Sequence, residues 1–185
     1  MTIGRKLDAL SEQHIRFIAG QKIFFVATAT EDSRVNLSPK GMDALLVVDA
    51  GRVLWLNLTG SGNETSAHVQ RDPRMTLMFC AFEDPPMILR VYGTARVVHP
   101  GDPGWVDLLS MFKPLPGARQ IFDLSVDLVQ TSCGMGVPYF SYAGDREQLI
   151  DWAKKKGEEG VRDYWEQKNQ LSIDGIPTRI VDRER

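Results

Sequence analysis

The chain has 185 residues, 43% hydrophobic and 25% charged, with a formal net charge of -2. That length buries a core without staples and reads as one domain spanning residues 1–185. The near-neutral charge argues against a nucleic-acid or membrane-surface partner. Two distant cysteines, Cys80 and Cys133, argue against a disulfide framework or a thiolate metal cluster and point to the reduced cytosol. The apolar runs are too short and interrupted for a bilayer span or a signal peptide.

Leu7, Leu10, Phe17 and Ile18 recur at roughly helical spacing, which predicts a short helix over residues 7–19 with Ser11 as a possible N-cap. The period then changes. "KIFFVATAT" (22–30) is β-branched and aromatic and reads as a strand. "EDS" is a turn, and "RVNLSPKG" (34–41) is the return strand, ended or bulged at Pro39. "ALLVVDAGRVLWLNL" (44–58) splits at "DAGR" into a hairpin. Residues 63–70 read as a short helix stopped by Pro73. "RMTLMFCAF" (74–82) and "MILRVYGTARVV" (87–98) are two further strands, the second marked by Gly93 for a bulge or bend.

Past His99, residues 102–112 predict a helix capped by Asp102, and 122–131 a last strand. "CGMGVP" (133–138) is a loop, and 145–170 is a charged helical stretch interrupted between Gly157 and Gly160. The expected architecture is mainly β with peripheral helices, an α+β arrangement of six or so mostly antiparallel strands. Its core covers about 22–132, with a C-terminal helical extension over about 145–170. Short hairpin connections argue against a doubly wound parallel sheet.

The stretch "NLTGSGNETSAHVQRDPR" (57–74) is where chemistry is expected. Unpaired N–H groups and a partial positive charge at a helix start attract phosphate, and the preceding glycines allow close approach. Ser61, Asn63 and Thr65 suit a phosphate grip, and equally a plain helix cap. The glycines fit neither a Walker loop nor the dinucleotide fingerprint. Lys40, after Pro39, is either a solvated turn lysine or the formal positive charge of the same site.

Taken in order, the lysine-ended strand "VNLSPKG", the hairpin, "LTGSGNETSAHV" and "DPRMTLMFCAFEDPPMILRVYG" resemble the FMN-binding split-barrel family in its pyridoxamine 5'-phosphate oxidase-related branch. The resemblance covers about residues 23–98. It implies an antiparallel six-stranded split β-barrel and a homodimer with FMN at the subunit interface. It also implies a flavin-dependent oxidoreductase acting on a small-molecule substrate or electron donor. By position, Asn36, Leu37 and Ser38 would lie along the isoalloxazine, with Lys40 near the flavin or its phosphate. Leu58 and Thr59 would make strand-end contacts, and Ser61, Asn63 and Thr65 would grip the phosphate.

The chain departs from the authentic oxidase in two places. Asn63-Glu64-Thr65 stands where that enzyme has Ser-Arg-Lys. A carboxylate facing phosphate is repulsive, so Glu64 is expected to turn away or to cap the helix. The tail "SIDGIPTRIVDRER" has no histidine to match the arginine–histidine pair that holds pyridoxal phosphate, so the less characterised branch is the better match. No catalytic acid or base stands out and no metal site is expected. His14 and His99 have no ligand-like neighbours, and His68 is expected at the surface. Cys133 either fills a tight loop or lines a pocket, and Cys80 is expected in the core. Trp152, Tyr164 and Trp165 either pack on the barrel, the favoured reading, or cover the dimer or roof the flavin, while "KKKGEE" is a solvated run. A non-catalytic FMN- or haem-binding module is the alternative to the enzyme.

Overall fold

The computed structural model describes Gly4 and residues 6–181. In chain order these form β1 (Lys6–Leu7), α1 (Glu12–Gly20), β2 (Phe24–Thr28), β3 (Asn36–Lys40), β4 (Leu45–Asp49) and β5 (Arg52–Leu58). There follow α2 (Glu64–Val69), β6 (Arg74–Cys80), β7 (Ile88–Val98), α3 (Trp105–Ser110), β8 (Ala118–Ser132) and α4 (Gln148–Lys168). All the strands join one antiparallel sheet in the order β3-β2-β6-β7-β8-β5-β4, and β1 adds to β8. The mainly antiparallel split-barrel-like fold is therefore present, with the two-residue β1 as an addition that the sequence pattern did not show.

The sheet is open, with β3 and β4 as its two edges. Yet only residues 41–44 connect them, and five Cα steps span at most about 18 Å. The sheet must therefore curl until its edges approach, which makes the split of the barrel. Within that connection Met42 and Asp43 take left-handed backbone conformations, φ 66° and 55°, unusual for side-chain-bearing residues. Pro39 is tolerated in β3 because that strand pairs only with β2, so its missing donor faces no second ladder.

Alternation along the strands sorts the core. Val26, Val53, Trp55, Leu77, Phe79, Leu89, Val91, Phe122 and Leu124 fill the barrel interior. The Trp55 and Phe122 rings stack there at 4.4 Å. Each such side chain, fully removed from water, contributes roughly 1.5–3 kcal/mol. Leu54, Leu56, Val98 and Ile121 face the other way and are covered by Leu108 of α3. Because β5 is buried on both faces, its sequence is a continuous apolar run rather than an alternation.

Gly93 sits at the register shift of β7 against β8, where a Cβ would run into the Ser125 carbonyl oxygen. The expected bulge is there, and glycine is required for the close backbone approach.

The helices shift relative to expectation. α1 begins at Glu12, because Ser11 caps it in a reciprocal capping box with His14 that fixes the start; Leu7 belongs to β1. The helix predicted from Asp102 starts at Trp105, after a left-handed Gly104. Asp102 instead accepts from the backbone N–H of His99 at 2.8 Å. α4 is interrupted at Gly157, φ 67°, within the expected break. Residues 154–159 are exposed, as expected of a solvated run.

Candidate functional site

Two regions carry the residues singled out in the sequence: β3, and the junction from the end of β5 into α2. On β3, side chains alternate. Val35 and Leu37 face outward, 75% and 62% exposed. Asn36, Ser38 and Lys40 share the other face and are partly buried. Asn36 Nδ2 donates to Thr65 Oγ1 at 3.1 Å and lies 3.4 Å from Thr28 Oγ1, while Ser38 Oγ donates to Asn36 Oδ1 at 2.8 Å. These bonds tie β3 to α2, bringing together two segments 29 residues apart.

Lys40 ends the strand with Nζ 5.5 Å above the centroid of the Trp55 ring. It is not a solvated turn lysine. Burial, together with the nearby Arg119 guanidinium, pushes its ammonium down to about 8 from its ordinary 10.5. Both causes act in the same direction, since a desolvated cation and a like charge each disfavour protonation.

The second region is built around Arg119. This residue is 2% exposed, and burial pushes its guanidinium down to about 9, still charged at neutral pH. Its Nη1 donates to Gly62 O at 3.0 Å and to Asn169 Oδ1 at 2.8 Å, and lies 3.4 Å from Gly60 O. Asn169 Nδ2 in turn donates to Gly60 O at 3.0 Å, with Ser61 O at 3.4 Å. Three successive carbonyls, from Gly60 to Gly62, therefore converge on the Arg119–Asn169 pair. In a trans peptide the following N–H points opposite to the C=O. The amides of Ser61, Gly62 and Asn63 thus face away from the pair, on the side where Ser61 and Gly62 are exposed. Arg119 was not among the residues singled out. Its signal is a lone cation at the head of the strand segment "ARQIF".

Most side chains expected to grip an anion here have other partners. Asn63 occupies the N-cap position of α2 but makes no side-chain cap bond. Instead its Oδ1 accepts from Gln120 Nε2 at 2.6 Å, and its Nδ2 lies 3.4 Å from Asn169 O. Thr59 Oγ1 donates to Gly117 O and accepts from Trp165 Nε1, both at 2.8 Å. Thr65 is buried and receives Asn36. Leu58 packs with the cluster beneath α3. Only Ser61 presents an exposed side chain. Glu64 bonds to the C-terminal segment rather than capping α2: its Oε2 accepts from Ile173 N at 3.0 Å. Its Oε1 would lie 3.2 Å from a Cβ on Gly62.

The C-terminal segment is the element that closes this region. Ser66 Oγ and Gln70 Nε2 both donate to Thr178 O, at 2.9 and 2.8 Å, and Asp174 pairs with Arg34. Trp165 packs with Ala153 and Val161 of α4 and with Ile180 and reaches the barrel through its bond to Thr59, whereas Trp152 and Tyr164, expected on the barrel, pack edge-on against each other in the same cluster. His68, expected at the surface, is 1% exposed and meets Thr28 Oγ1 at 3.2 Å through Nδ1. The sheet and the C-terminal segment cover α2 on both sides, so helical periodicity had no polar face to reveal.

Among the described residues no group of three His, Cys, Asp or Glu side chains is placed to hold a metal ion. No helix among them is long and apolar enough to cross a membrane.

Comparison with known proteins places this geometry in a family. The family described as pyridoxamine 5'-phosphate oxidase matches residues 10–133. The pyridoxamine 5'-phosphate oxidase family protein ustO of Aspergillus flavus is 32% identical, over 92% of this chain and 76% of its own length. Among solved structures, a candidate pyridoxamine 5'-phosphate oxidase of Lactobacillus delbrueckii superimposes with a TM-score of 0.56 at 22% identity. That match covers 69% of this chain and 98% of the other. HupZ of Group A Streptococcus gives 0.53 at 13% identity, covering 72% and 99%. The structural likenesses speak for the fold, and the family and relative matches span most of the chain: the protein belongs to the pyridoxamine 5'-phosphate oxidase family.

Proposed function

We propose that this protein binds FMN and works as a flavin-dependent oxidoreductase on a small molecule, as a cytosolic homodimer with the flavin at the subunit interface. The observation that carries the reading is a pair of neighbouring cations, Lys40 and Arg119. Among the described residues neither has a carboxylate partner. Burying cations without a counter-ion is costly, and an anion at the junction of β3 and α2 would offset that cost. In a chain of this family, the phosphate of FMN is the anion proposed.

The residues fit such a group unevenly. Edge strand β3 leaves backbone groups unpaired along Asn36, Leu37 and Ser38, suited to the polar rim of an isoalloxazine. Lys40 supplies charge at the end of that strand. Leu58 and Thr59 set the end of β5. At the phosphate end the loop amides and Ser61 are available, whereas Asn63 and Thr65 position the loop and β3. Bound flavin would supply hydride or electron transfer. The protein's task is to orient it, hold its charge and shape the pocket. The cytosolic setting agrees with two free cysteines.

The test is to purify the full chain, record its visible spectrum and titrate it with FMN and with riboflavin, which lacks the phosphate. Tighter binding of FMN than of riboflavin is expected, with the preference reduced at least tenfold in Lys40→Met. A colourless protein that takes up neither ligand sinks the flavin reading, and a Soret band would favour the haem-binding alternative. If flavin is bound, anaerobic reduction by NADH, NADPH or pyridoxamine phosphate tests the enzyme class.

A further inference from the structure

At the split of the barrel, under α1, lies a cavity of about 270 Å³. Ile15 and Ile18 of α1, Phe24 of β2, Leu45 and Val47 of β4 and Phe79 of β6 wall it. Its origin is topological. β2 and β4 both line it but share no ladder, so side chains rather than backbone bonds bound the space between them. Close-packed interiors hold few voids larger than a water, whereas this one has the volume of about nine, at about 30 Å³ each.

The cavity is aromatic at its inner end and charged at its mouth. Phe24 and Phe79 are 5% and 1% exposed, and their rings stack at 5.9 Å. Lys22 and Asp43, both exposed, line the mouth with Gln21. A Cβ on Gly41 would lie 3.2 Å from Lys22 O, so the connection between β3 and β4 runs close beside Lys22. Gln21 is engaged, since its Nε2 donates to Phe17 O at 3.1 Å. Asp43 is engaged too, paired with Lys113 at 2.7 Å. Lys22 Nζ lies 5.7 Å from the centroid of the Tyr142 ring, whose hydroxyl holds Asp145. Among the described residues no carboxylate pairs with the Lys22 ammonium.

We infer that this cavity binds a small aromatic monocarboxylate, with the ring against Phe24 and Phe79 and the carboxylate at Lys22. Size sets the class. An apolar cavity of about 150 Å³ already takes a benzene ring, and the remaining volume suits a short carboxylated arm. The space lies just below the usual range of ligand pockets, roughly 300–1,000 Å³, which excludes a flavin or a nucleotide. Burial of the ring and its offset contact with the aromatic wall supply most of the affinity. Lys22 is exposed, so its ion pair adds little strength, but it fixes which end of the ligand faces out.

Lys40 and Arg119 do not line this cavity, and the inference does not rest on flavin binding. The experiment titrates the full chain, with and without added FMN, with phenylacetate and with its neutral isostere phenylacetamide. NMR reads the affinity and the contacts of the ring protons. The expected result is one-to-one binding with contacts to the methyl groups of Ile18 and Val47, unaffected by FMN. At low salt phenylacetate should bind about threefold to fivefold tighter than the amide, the range of an exposed ion pair, and Lys22→Met should remove that preference while the amide binds as before. Ala19 lines the cavity from an exposed position, so Ala19→Phe should fill the space and weaken both ligands at least tenfold. No saturation by about 10 mM, displacement of phenylacetate by FMN, or equal binding to the Ala19→Phe variant overturns the inference. Phenylacetate bound at Ile18 and Val47 in a protein that ignores FMN would sink the flavin reading alone. FMN uptake without phenylacetate binding would sink this one alone.

Discussion

The two halves of the candidate site are built on opposite plans. The β3 half is open: an edge strand with outward Val35 and Leu37 and an amine with no acid to pair it among the described residues. The α2 half is closed: Thr59, Asn63, Thr65 and Ser66 are all bonded within the protein, largely to the C-terminal segment. A cation sits in each half, but Arg119 is wrapped by carbonyls whereas Lys40 is not. The contrast separates stability from binding. Groups in the α2 half hold the fold, and groups in the β3 half remain for a ligand.

That division predicts effects of different kind and size. Arg119→Met should destabilise the most. It strips a donor from Gly62 O and Asn169 Oδ1 and loosens the loop, costing about 2–3 kcal/mol in urea unfolding; the relief of a buried charge limits the loss. A cost under about 0.5 kcal/mol would mean that the loop does not depend on it. Trp165→Phe removes the donor to Thr59 while keeping most of the packing, and should cost about 1–2 kcal/mol. An unchanged unfolding midpoint would show that α4 is held by apolar contact alone.

Lys40→Met probes the open half, and its sign is opposite. The folded protein holds this amine at about 8 against an ordinary 10.5. Between those values the unfolded chain carries a proton that the folded chain has released, so wild-type stability rises with pH there. At pH 7 the Met variant should be at least as stable as wild type, and any advantage should shrink between pH 8 and 10.5. Parallel stability curves for the two proteins across that range would contradict the buried-amine assignment. The smallest effect belongs to Glu64→Gln. Removing the carboxylate beside Gly62 should tighten FMN severalfold with little change for riboflavin, because only the phosphate feels that charge. Equal gains for both ligands would place the phosphate elsewhere.

Much of the fold was legible in the chain. β2, β6 and β7 announce themselves by β-branched and aromatic residues, and Gly93 marks the bulge because no side chain fits against Ser125. The site was half legible. The lysine-ended β3 and the glycines before α2 could be read from residue types and spacing. Arg119, 56 residues after Asn63 in sequence, could not, because one cation at the start of a mixed strand looks the same whether it reaches solvent or a ring of carbonyls. His68 was misplaced for a related reason: a six-residue helix buried on both sides has no periodicity to show.

By itself, then, the sequence determined the antiparallel barrel, its breaks, and the order of strand, hairpin and helix start that marks the family. These follow from local rules of alternation, turn chemistry and capping. The tertiary structure decided which polar groups remain available. Hydrogen bonds between the α2 junction and Trp165, Asn169 and Thr178 span more than 100 residues: Trp165 donates to Thr59 Oγ1, Asn169 donates to Gly60 O, and Thr178 O accepts from Ser66 Oγ. Only the packing of β3, β8 and the C-terminal segment around α2 could determine that Asn63 and Thr65 are taken up within the protein, while Lys40 has no carboxylate partner among the described residues.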